Sequence, residues 1–281
     1  MGCVMARNVL VIACLLGLGC LMAAGAQAQV QAQVQVQGKP FVDLELVLAV
    51  DVSLSMDHEE QRLQRDGYVA AFRDPKLLEA IRSGPNGKIA VTYVEWAGAG
   101  IQSVVLPWRV IEKASDAQAF ADALAEKPIR RARMTSISGV VLVAQGLFAE
   151  SPVQGLRRVI DVSGDGPNNS GSRVDHARDR LVAAGVVVNG LAIRIKSGGG
   201  AYSYFDLPDL DVYFKDCVIG GPGSFVLSIR KKSEFATAIR QKLLLEIAGR
   251  MPVPVARVHR TGFRTVAEKY DCLIGERQWQ R

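Results

Sequence analysis

The chain alternates short, continuously apolar runs with longer segments of helical periodicity, and this order constrains its fold more than any other feature. Strands that are apolar on both faces and separated by helices are typical of a parallel sheet covered on both sides. The pattern therefore predicts an α/β fold, a doubly wound, mostly parallel central sheet with helices on both faces. The predicted strands are 44–50, 88–96, 103–106 at an edge, 157–163, 186–195 and 225–229, and the predicted helices are 57–81, 115–125, 136–148, 173–184 and 233–247.

The N-terminus has the pattern of a secretory signal peptide. Arg7 precedes an uncharged apolar stretch at 9–21, and Ala26-Gln27-Ala28 offers an A-x-A cleavage site. The stretch is short for a transmembrane helix, which needs about 20 residues. We therefore expect a periplasmic or secreted protein with no transmembrane helix after cleavage. The predicted segments are a signal peptide at 1–28, a disordered mature N-terminus at 29–40, one domain at 41–250 and a C-terminal tail at 251–281.

Two of the five cysteines, Cys217 and Cys272, lie beyond the predicted signal peptide. An even pair in an oxidising compartment favours a disulfide, with two separate buried thiols as the alternative. The bond would close a loop of about 55 residues, contribute about 4 kcal/mol in the chain-entropy model and tie the tail to the domain. Within the leader, acylation of Cys20 is the less favoured alternative to simple cleavage.

The formal net charge of +6 is modest, and a solvated basic face explains it better than a polyanionic partner. Local clusters of arginine occur at 130–133 and 257–264, but no nucleic-acid-binding motif is present. His58, His176 and His259 are isolated in the sequence, so zinc chemistry and a histidine-based catalytic site are not predicted.

A carboxylate and two hydroxyls follow the first predicted strand at alternate positions, in Asp51-Val52-Ser53-Leu54-Ser55. In doubly wound sheets, ligands bind at the carboxyl ends of the strands. Oxygen ligands of this kind suit Mg²⁺ or Mn²⁺. The alternative is an ordinary turn or helix cap, for which Asp and Ser are common residues. Two further segments, 134–139 and 159–166, place Thr135 and Asp165 at similar points of the chain.

These three segments, in this order, resemble the metal-ion-dependent adhesion site of the von Willebrand factor A domain, and the resemblance covers about residues 42–248. Asp51, Ser53 and Ser55 match the first motif, Thr135 matches the threonine of the second loop, and Asp165 matches the acidic residue of the third. The resemblance implies a Mg²⁺ or Mn²⁺ ion, or else Ca²⁺, held by these oxygens. It also implies an open position on the ion for an acidic group of a protein partner.

A closer similarity is to a bacterial exported family that is von Willebrand A-like and of unknown function. It is carried by residues 51–57, 61–68, 94–96 and 218–223 and by the pattern of the two late cysteines. This resemblance supports the fold and export more than an activity.

Two acidic residues in predicted strands need a separate explanation. Glu95 is either an acceptor near the ion or, more plainly, one partner of a partly exposed salt bridge. Asp161 interrupts an apolar strand and therefore requires a buried partner. Like Glu95, it is also a candidate for a position near the ion, behind the metal ligands. Arg130, Arg131 and Arg133 would guide acidic ligands or simply form a solvated loop, and the aromatic loop 196–211 is a candidate recognition surface.

The function favoured by these features is a binding module that engages a protein partner through a divalent ion, with no catalytic residue assigned. One alternative is a hydrolase that uses the ion as a Lewis acid, with Asp161 or Glu95 as the base. The other is a structural domain whose ion only stabilises loops. An enzymatic role is the less favoured one, because neither a Ser-His-Asp arrangement nor a Gly-rich phosphate loop is found.

Overall fold

A computed structural model of the protein describes residues 38–195, 207–249 and 269–279. The predicted signal peptide and most of the predicted mature N-terminus lie outside the described residues. So do most of the predicted recognition loop, at 196–206, and tail residues 250–268 and 280–281.

One sheet organises the described part of the chain. Its six strands are β1 (Phe41–Asp51), β2 (Ile89–Trp96), β3 (Gln102–Ile111), β4 (Gln154–Gly164), β5 (Val186–Ile193) and β6 (Val226–Ile229). They lie in the order β3-β2-β1-β4-β5-β6, and every neighbouring pair is parallel except β2 and β3, which are antiparallel. The predicted fold class is confirmed.

Helices cover both faces of this sheet. They are α1 (His58–Arg73), α2 (Pro75–Arg82), α3 (Ala114–Ala125), α4 (Ile137–Ala149), α5 (Val174–Ala183), α6 (Leu210–Tyr213), α7 (Phe235–Ala248) and α8 (Ile274–Trp279). Alternate residues of β1 point to opposite faces, so that Leu46 and Leu48 pack under α1, α2, α3 and α7. Val47 and Ala49 pack on the other side, under α4, α5 and α6.

The predicted single helix at 57–81 is wrong, because the structure has two helices there. Pro75 lacks a backbone N–H and disfavours helical dihedrals in the preceding residue. Asp74 accordingly adopts an extended conformation, with φ −76° and ψ 122°, and its carboxylate caps α2 by accepting from the Lys76 N–H at 2.9 Å. Pro75 then occupies the first turn of α2, where a missing donor costs nothing.

Other differences concern the edges of the fold. β3 is longer than the short edge partner predicted at 103–106, and Pro107 is tolerated there because an edge strand needs fewer donors. The short helices α6 and α8 and a π-helical turn at Phe214–Val218 were not predicted. These elements have too few residues to show a helical period in the sequence.

The C-terminal segment is joined to the domain by a disulfide between Cys217 and Cys272, as the even pair of cysteines predicted. Cys217 belongs to the π-helical turn and Cys272 immediately precedes α8. Both cysteines are buried in the core beneath α5 and α6. Within the described ranges, no helix has the length and apolarity needed to cross a bilayer.

Candidate metal centre

The first candidate loop leaves the sheet at the point where the strand order reverses. β1 and β4 are neighbours, but α1 follows β1 on one face and α5 follows β4 on the other. The carboxyl ends of two such strands form a natural ligand crevice. Asp51 ends β1 and Gly164 ends β4, and a Cβ on Gly164 would lie only 3.1 Å from Asp51 Oδ2. The two loops therefore meet at this edge.

Asp51 is fully buried and has one satisfied and one unsatisfied oxygen. Its Oδ1 accepts from the Ser53 N–H at 2.7 Å, whereas its Oδ2 has no hydrogen-bond partner. Burial raises the pKa of Asp51 to about 7, although hydrogen bonds from Ser53 oppose the shift. An unpaired carboxylate oxygen in a buried position is costly unless a cation compensates it. This oxygen therefore fits a metal ligand.

The hydroxyls of the first loop connect it to the third. Ser53 Oγ and Ser55 Oγ lie 2.8 Å apart, and Ser55 Oγ donates to Asp165 Oδ1 at 2.7 Å. The spacing of two residues thus places both serine side chains on the same side of the loop. Four of the candidate ligand groups, two carboxylates and two hydroxyls, therefore lie in one continuous polar cluster.

Thr135 is presented by the second loop in a constrained conformation. The preceding residue, Met134, has φ +71°. This left-handed backbone conformation is rare for residues other than Gly, Asn and Asp. Two hydrogen bonds with Asn169 then fix the Thr135 backbone. The side-chain Oδ1 of Asn169 accepts from the Thr135 N–H at 2.7 Å, and the backbone N–H of Asn169 donates to the Thr135 carbonyl at 2.8 Å. Backbone strain of this kind is concentrated at functional sites.

A cavity of about 330 Å³ opens above the cluster. Ser53, Ser55, Thr135 and Asp165 line it, and Asp51 lies beneath through its bond to Ser53. The structure therefore brings all five predicted ligands together, as the three-loop hypothesis requires. In the described part of the chain, no group of three or more His, Cys, Asp or Glu residues could hold a metal ion. The candidate set instead combines two carboxylates with three hydroxyls, a donor set suited to hard cations.

Three further side chains hold these loops in place, a role that the sequence did not predict. Arg131 donates to the carbonyl oxygens of Leu54 and Met56 and so fixes the first loop. From α1, the Gln61 amide donates to the Ser53 carbonyl at 3.2 Å and the Gln64 amide to Ser163 Oγ at 2.8 Å. The spacing of three between the glutamines, which places them on one helix face, was the available signal.

Glu95 is part of a buried ion pair. It is 3% exposed, and its carboxylate accepts from the Arg65 guanidinium, which also donates to the carbonyls of Leu124 and Lys127. Glu95 pairs in register with Val50, whose side chain faces α1 and not the cavity. The expected salt bridge is therefore present, but the expectation that it is partly exposed is wrong, because α1 and α3 cover the face on which it lies.

Asp161 has the buried partner that its position requires. On the face covered by α7, it forms an ion pair with the Lys242 ammonium, which also contacts Glu246 Oε1 at 2.5 Å. The Tyr68 hydroxyl lies 3.5 Å from Asp161 Oδ2, and the Asn189 amide donates to Glu246 at 3.1 Å. Neither Asp161 nor Glu95 lines the cavity. Both are engaged elsewhere and are not placed to act as a base on a ligand bound there.

The buried network gives a pH-dependent contribution to stability. Burial, with added repulsion from Asp161, raises the pKa of Glu246 from 4.5 to about 7. A carboxyl that holds its proton more tightly when folded stabilises the fold at low pH, and this contribution is lost as pH rises through the folded pKa. We therefore expect Glu246→Gln to reduce the fall in unfolding free energy between about pH 4.5 and pH 7, measured by urea titration at each pH. Glu79→Gln, an exposed substitution on α2, is the control, and equal slopes in both variants would contradict the assignment.

The chain matches one protein family and is similar in fold to several solved structures. Residues 41–251 match the model of a family described as a protein of unknown function (DUF1194). No curated protein matches the chain. Similar solved structures are proximal thread matrix protein 1 from the mussel byssus (16% identity, TM-score 0.52), the same protein with a zinc-occupied MIDAS motif (18%, 0.50) and pilus adhesin SpaC from Lactobacillus rhamnosus GG (14%, 0.51).

These likenesses extend over much of this chain but less of the other proteins. The alignments cover 74%, 75% and 75% of this chain, but 49%, 49% and 31% of the respective neighbours. The chain therefore spans about half the length of the mussel protein and about a third of the adhesin. At these identities the likeness shows the fold alone, which is von Willebrand A-like. Because the family match covers most of the sequence, the chain belongs to this family of unknown function (DUF1194).

Proposed function

We propose that this protein is an exported binding module that engages a protein partner through a divalent metal ion. The ion, Mg²⁺ or Mn²⁺ and less favourably Ca²⁺, is held by Asp51, Ser53, Ser55, Thr135 and Asp165. The observation that carries this proposal is the convergence of these side chains on one cavity, above a buried carboxylate oxygen of Asp51 that has no hydrogen-bond partner.

The donor set explains why such an ion would bind a partner. Three of the five candidate ligands are neutral hydroxyls, and Asp51 and Asp165 act either directly or through waters, so few carboxylates contact the ion and it remains electrophilic. The ion then attracts an acidic group of the partner from the open side of the cavity, and Arg133 on the cavity wall adds to this attraction. Structural neighbours that include a protein with a zinc-occupied MIDAS motif and a pilus adhesin support a binding role.

Export is part of the proposal and rests on two independent features. The first 28 residues have the pattern of a signal peptide. The disulfide between Cys217 and Cys272 belongs to an oxidising compartment, because cytosolic thiols are kept reduced. Both features are consistent with a protein that is periplasmic or secreted.

Removing single ligand groups is expected to weaken metal binding without unfolding the domain. Asp165→Asn removes a charge and Thr135→Val removes a hydroxyl at nearly constant volume. Each is expected to raise the dissociation constant for Mn²⁺ at least about tenfold, which corresponds to a loss of about 1.4 kcal/mol in binding free energy. Calorimetry measures this change. Asp122→Asn, on the exposed surface of α3, is the matched control and is expected to bind as the wild type does. Wild-type protein that binds no Mn²⁺, Mg²⁺ or Ca²⁺ would overturn the metal site.

Partner binding has its own test. In an envelope extract, we expect the wild-type protein to retain a specific protein with Mg²⁺ present and release it with chelator, whereas Asp51→Ala retains none. If chelator lowers only the melting temperature and leaves every retained protein bound, the ion is structural. Turnover of phosphoester substrates that requires Mg²⁺ and is lost in Asp165→Asn would favour the hydrolase instead.

A further inference from the structure

The cavity above the candidate metal centre has a wall that does not come from the three metal loops. Gln278 and Trp279, at the end of α8, line it together with Ser55 and Thr135. α8 lies more than a hundred residues beyond Asp165 in the sequence. The C-terminal segment therefore takes part in the candidate site, although its sequence carries no motif that predicts such a role.

Several specific contacts fix α8 against the third loop. Glu276 Oε1 accepts from the Asn168 amide at 2.8 Å, and Asn168 Oδ1 in turn accepts from the Ser138 N–H at 2.9 Å. The closest approach is at Gly275, where an added Cβ would lie 2.0 Å from the Asn168 carbonyl oxygen. Only glycine allows α8 to approach the loop this closely.

The segment that precedes α8 is anchored independently. Cys272 is covalently bonded to Cys217. The ring of Tyr270 packs edge-on against that of Tyr213 at a centroid distance of 5.8 Å, and the Tyr213 hydroxyl accepts from the Asn168 N–H at 3.0 Å. Asn168 is thus held from both sides by the C-terminal segment and the core. α8 is a built part of the cavity wall and not a loosely attached end.

The chemistry of this wall differs from that of the metal loops. Trp279 is 43% exposed, and Leu54, Met134 and Pro167 add apolar surface to the same cavity. A cavity of about 330 Å³ lies at the lower end of the range for ligand pockets, so it accepts one or two side chains of a partner. Aromatic rings commonly supply the anchor contact in such recognition sites.

We propose that Trp279 determines the specificity of the site, and that the partner segment carries a large apolar or aromatic side chain next to the acidic residue that reaches the metal. The acidic residue of the partner binds the ion and pairs with the Arg133 guanidinium, while the neighbouring apolar side chain packs on Trp279. This inference rests on the proposed metal-dependent binding function and extends it from one acidic group to an acidic–aromatic pair.

The test compares two capped peptides, acetyl-Phe-Asp-Phe-amide and acetyl-Ala-Asp-Ala-amide, in saturating Mn²⁺. We expect the full exported protein to bind the phenylalanine peptide about threefold to tenfold more tightly, the range given by one aromatic pair. Trp279→Ala is expected to remove this preference and to leave Mn²⁺ affinity unchanged. Trp279→Phe is expected to keep most of the preference, because the aromatic surface remains.

The control is Leu156→Ala, which removes an exposed apolar side chain near the start of β4, at the opposite end of that strand from the cavity. It is expected to retain the full preference. The inference is overturned if Mn²⁺ binds but the wild type does not prefer the phenylalanine peptide, or if Trp279→Ala preserves the preference. Failure of the wild type to bind any divalent ion is a different result, because it overturns the proposed function itself.

Discussion

Lys242→Met is expected to lower the free energy of unfolding by about 3–5 kcal/mol, the cost of removing one partner from a buried ion pair. Lys242, Asp161 and Glu246 are all buried between the sheet and α7. Burial opposes the charge on Lys242, but attraction to Asp161 and Glu246 outweighs it and raises the pKa of the ammonium. Methionine fills similar volume but leaves two carboxyls in the core without a cation. Urea denaturation measured by circular dichroism gives the change.

The surface offers a matched control for this substitution. Lys232 also contacts two carboxylates, Asp57 and Glu59, each at 2.7 Å, but the Lys232 side chain is 33% exposed and both carboxylates are more than half exposed. Lys232→Met is therefore expected to cost only a small fraction of the loss at Lys242, because water replaces the lost cation. Equal costs at the two positions would show that the buried network does not stabilise the fold in the way proposed.

A combined variant separates charge from packing. Lys242→Met with Asp161→Asn and Glu246→Gln removes the cation and both ionisable carboxyls together. Part of the lost stability is expected to return, because no uncompensated charge remains in the core. A combined variant less stable than Lys242→Met alone would assign the loss to packing and hydrogen bonding.

Removing the disulfide by Cys217→Ala with Cys272→Ala is expected to cost about 4 kcal/mol, since the bond closes a loop of 55 residues. In the chain-entropy model this cost arises in the unfolded state, which the bond makes more compact. The unfolded chain of the variant exposes more surface, so the dependence of unfolding free energy on urea is expected to become steeper.

Reductant provides the control for the disulfide. It is expected to destabilise the wild-type protein by a similar amount and to leave the double-alanine variant unchanged, because that variant has no bond to reduce. A variant with the same urea midpoint and the same slope as the wild type would show that the bond adds nothing to stability.

The sheet, and the proximity of the five candidate ligands, could be predicted because both depend on patterns that are local in the sequence. Val47 and Ala49 lie in an uninterrupted apolar run, which is how a strand buried on both faces reads. Asp51, Ser53 and Ser55 lie within five residues of one another, Thr135 directly precedes the predicted helix at 136–148, and Asp165 follows the predicted strand at 157–163. The shared edge of parallel strands places Asp51 near Asp165, whereas Thr135 was added by the resemblance to the metal-ion-dependent adhesion site.

The partners of these residues were not predictable, because they depend on contacts between distant segments. Lys242 reads as a surface residue of an amphipathic helix until Asp161 is placed beneath it. Gly275 reads as a helix breaker until the Asn168 carbonyl is found against it. The break at Pro75, in contrast, could have been predicted from the sequence, because proline disfavours a continuous helix. It was missed because the apolar pattern continues on both sides of the proline.

The attachment of α8 has a consequence for how recognition diversifies. The ion would be held by three loops at the end of the sheet, whereas the apolar wall comes from one short helix near the C-terminus. Substitutions at Gln278 and Trp279 would therefore alter which partners are selected without touching the coordination of the ion. Related proteins would be able to keep one metal chemistry and exchange partners by changing a few residues of a single helix.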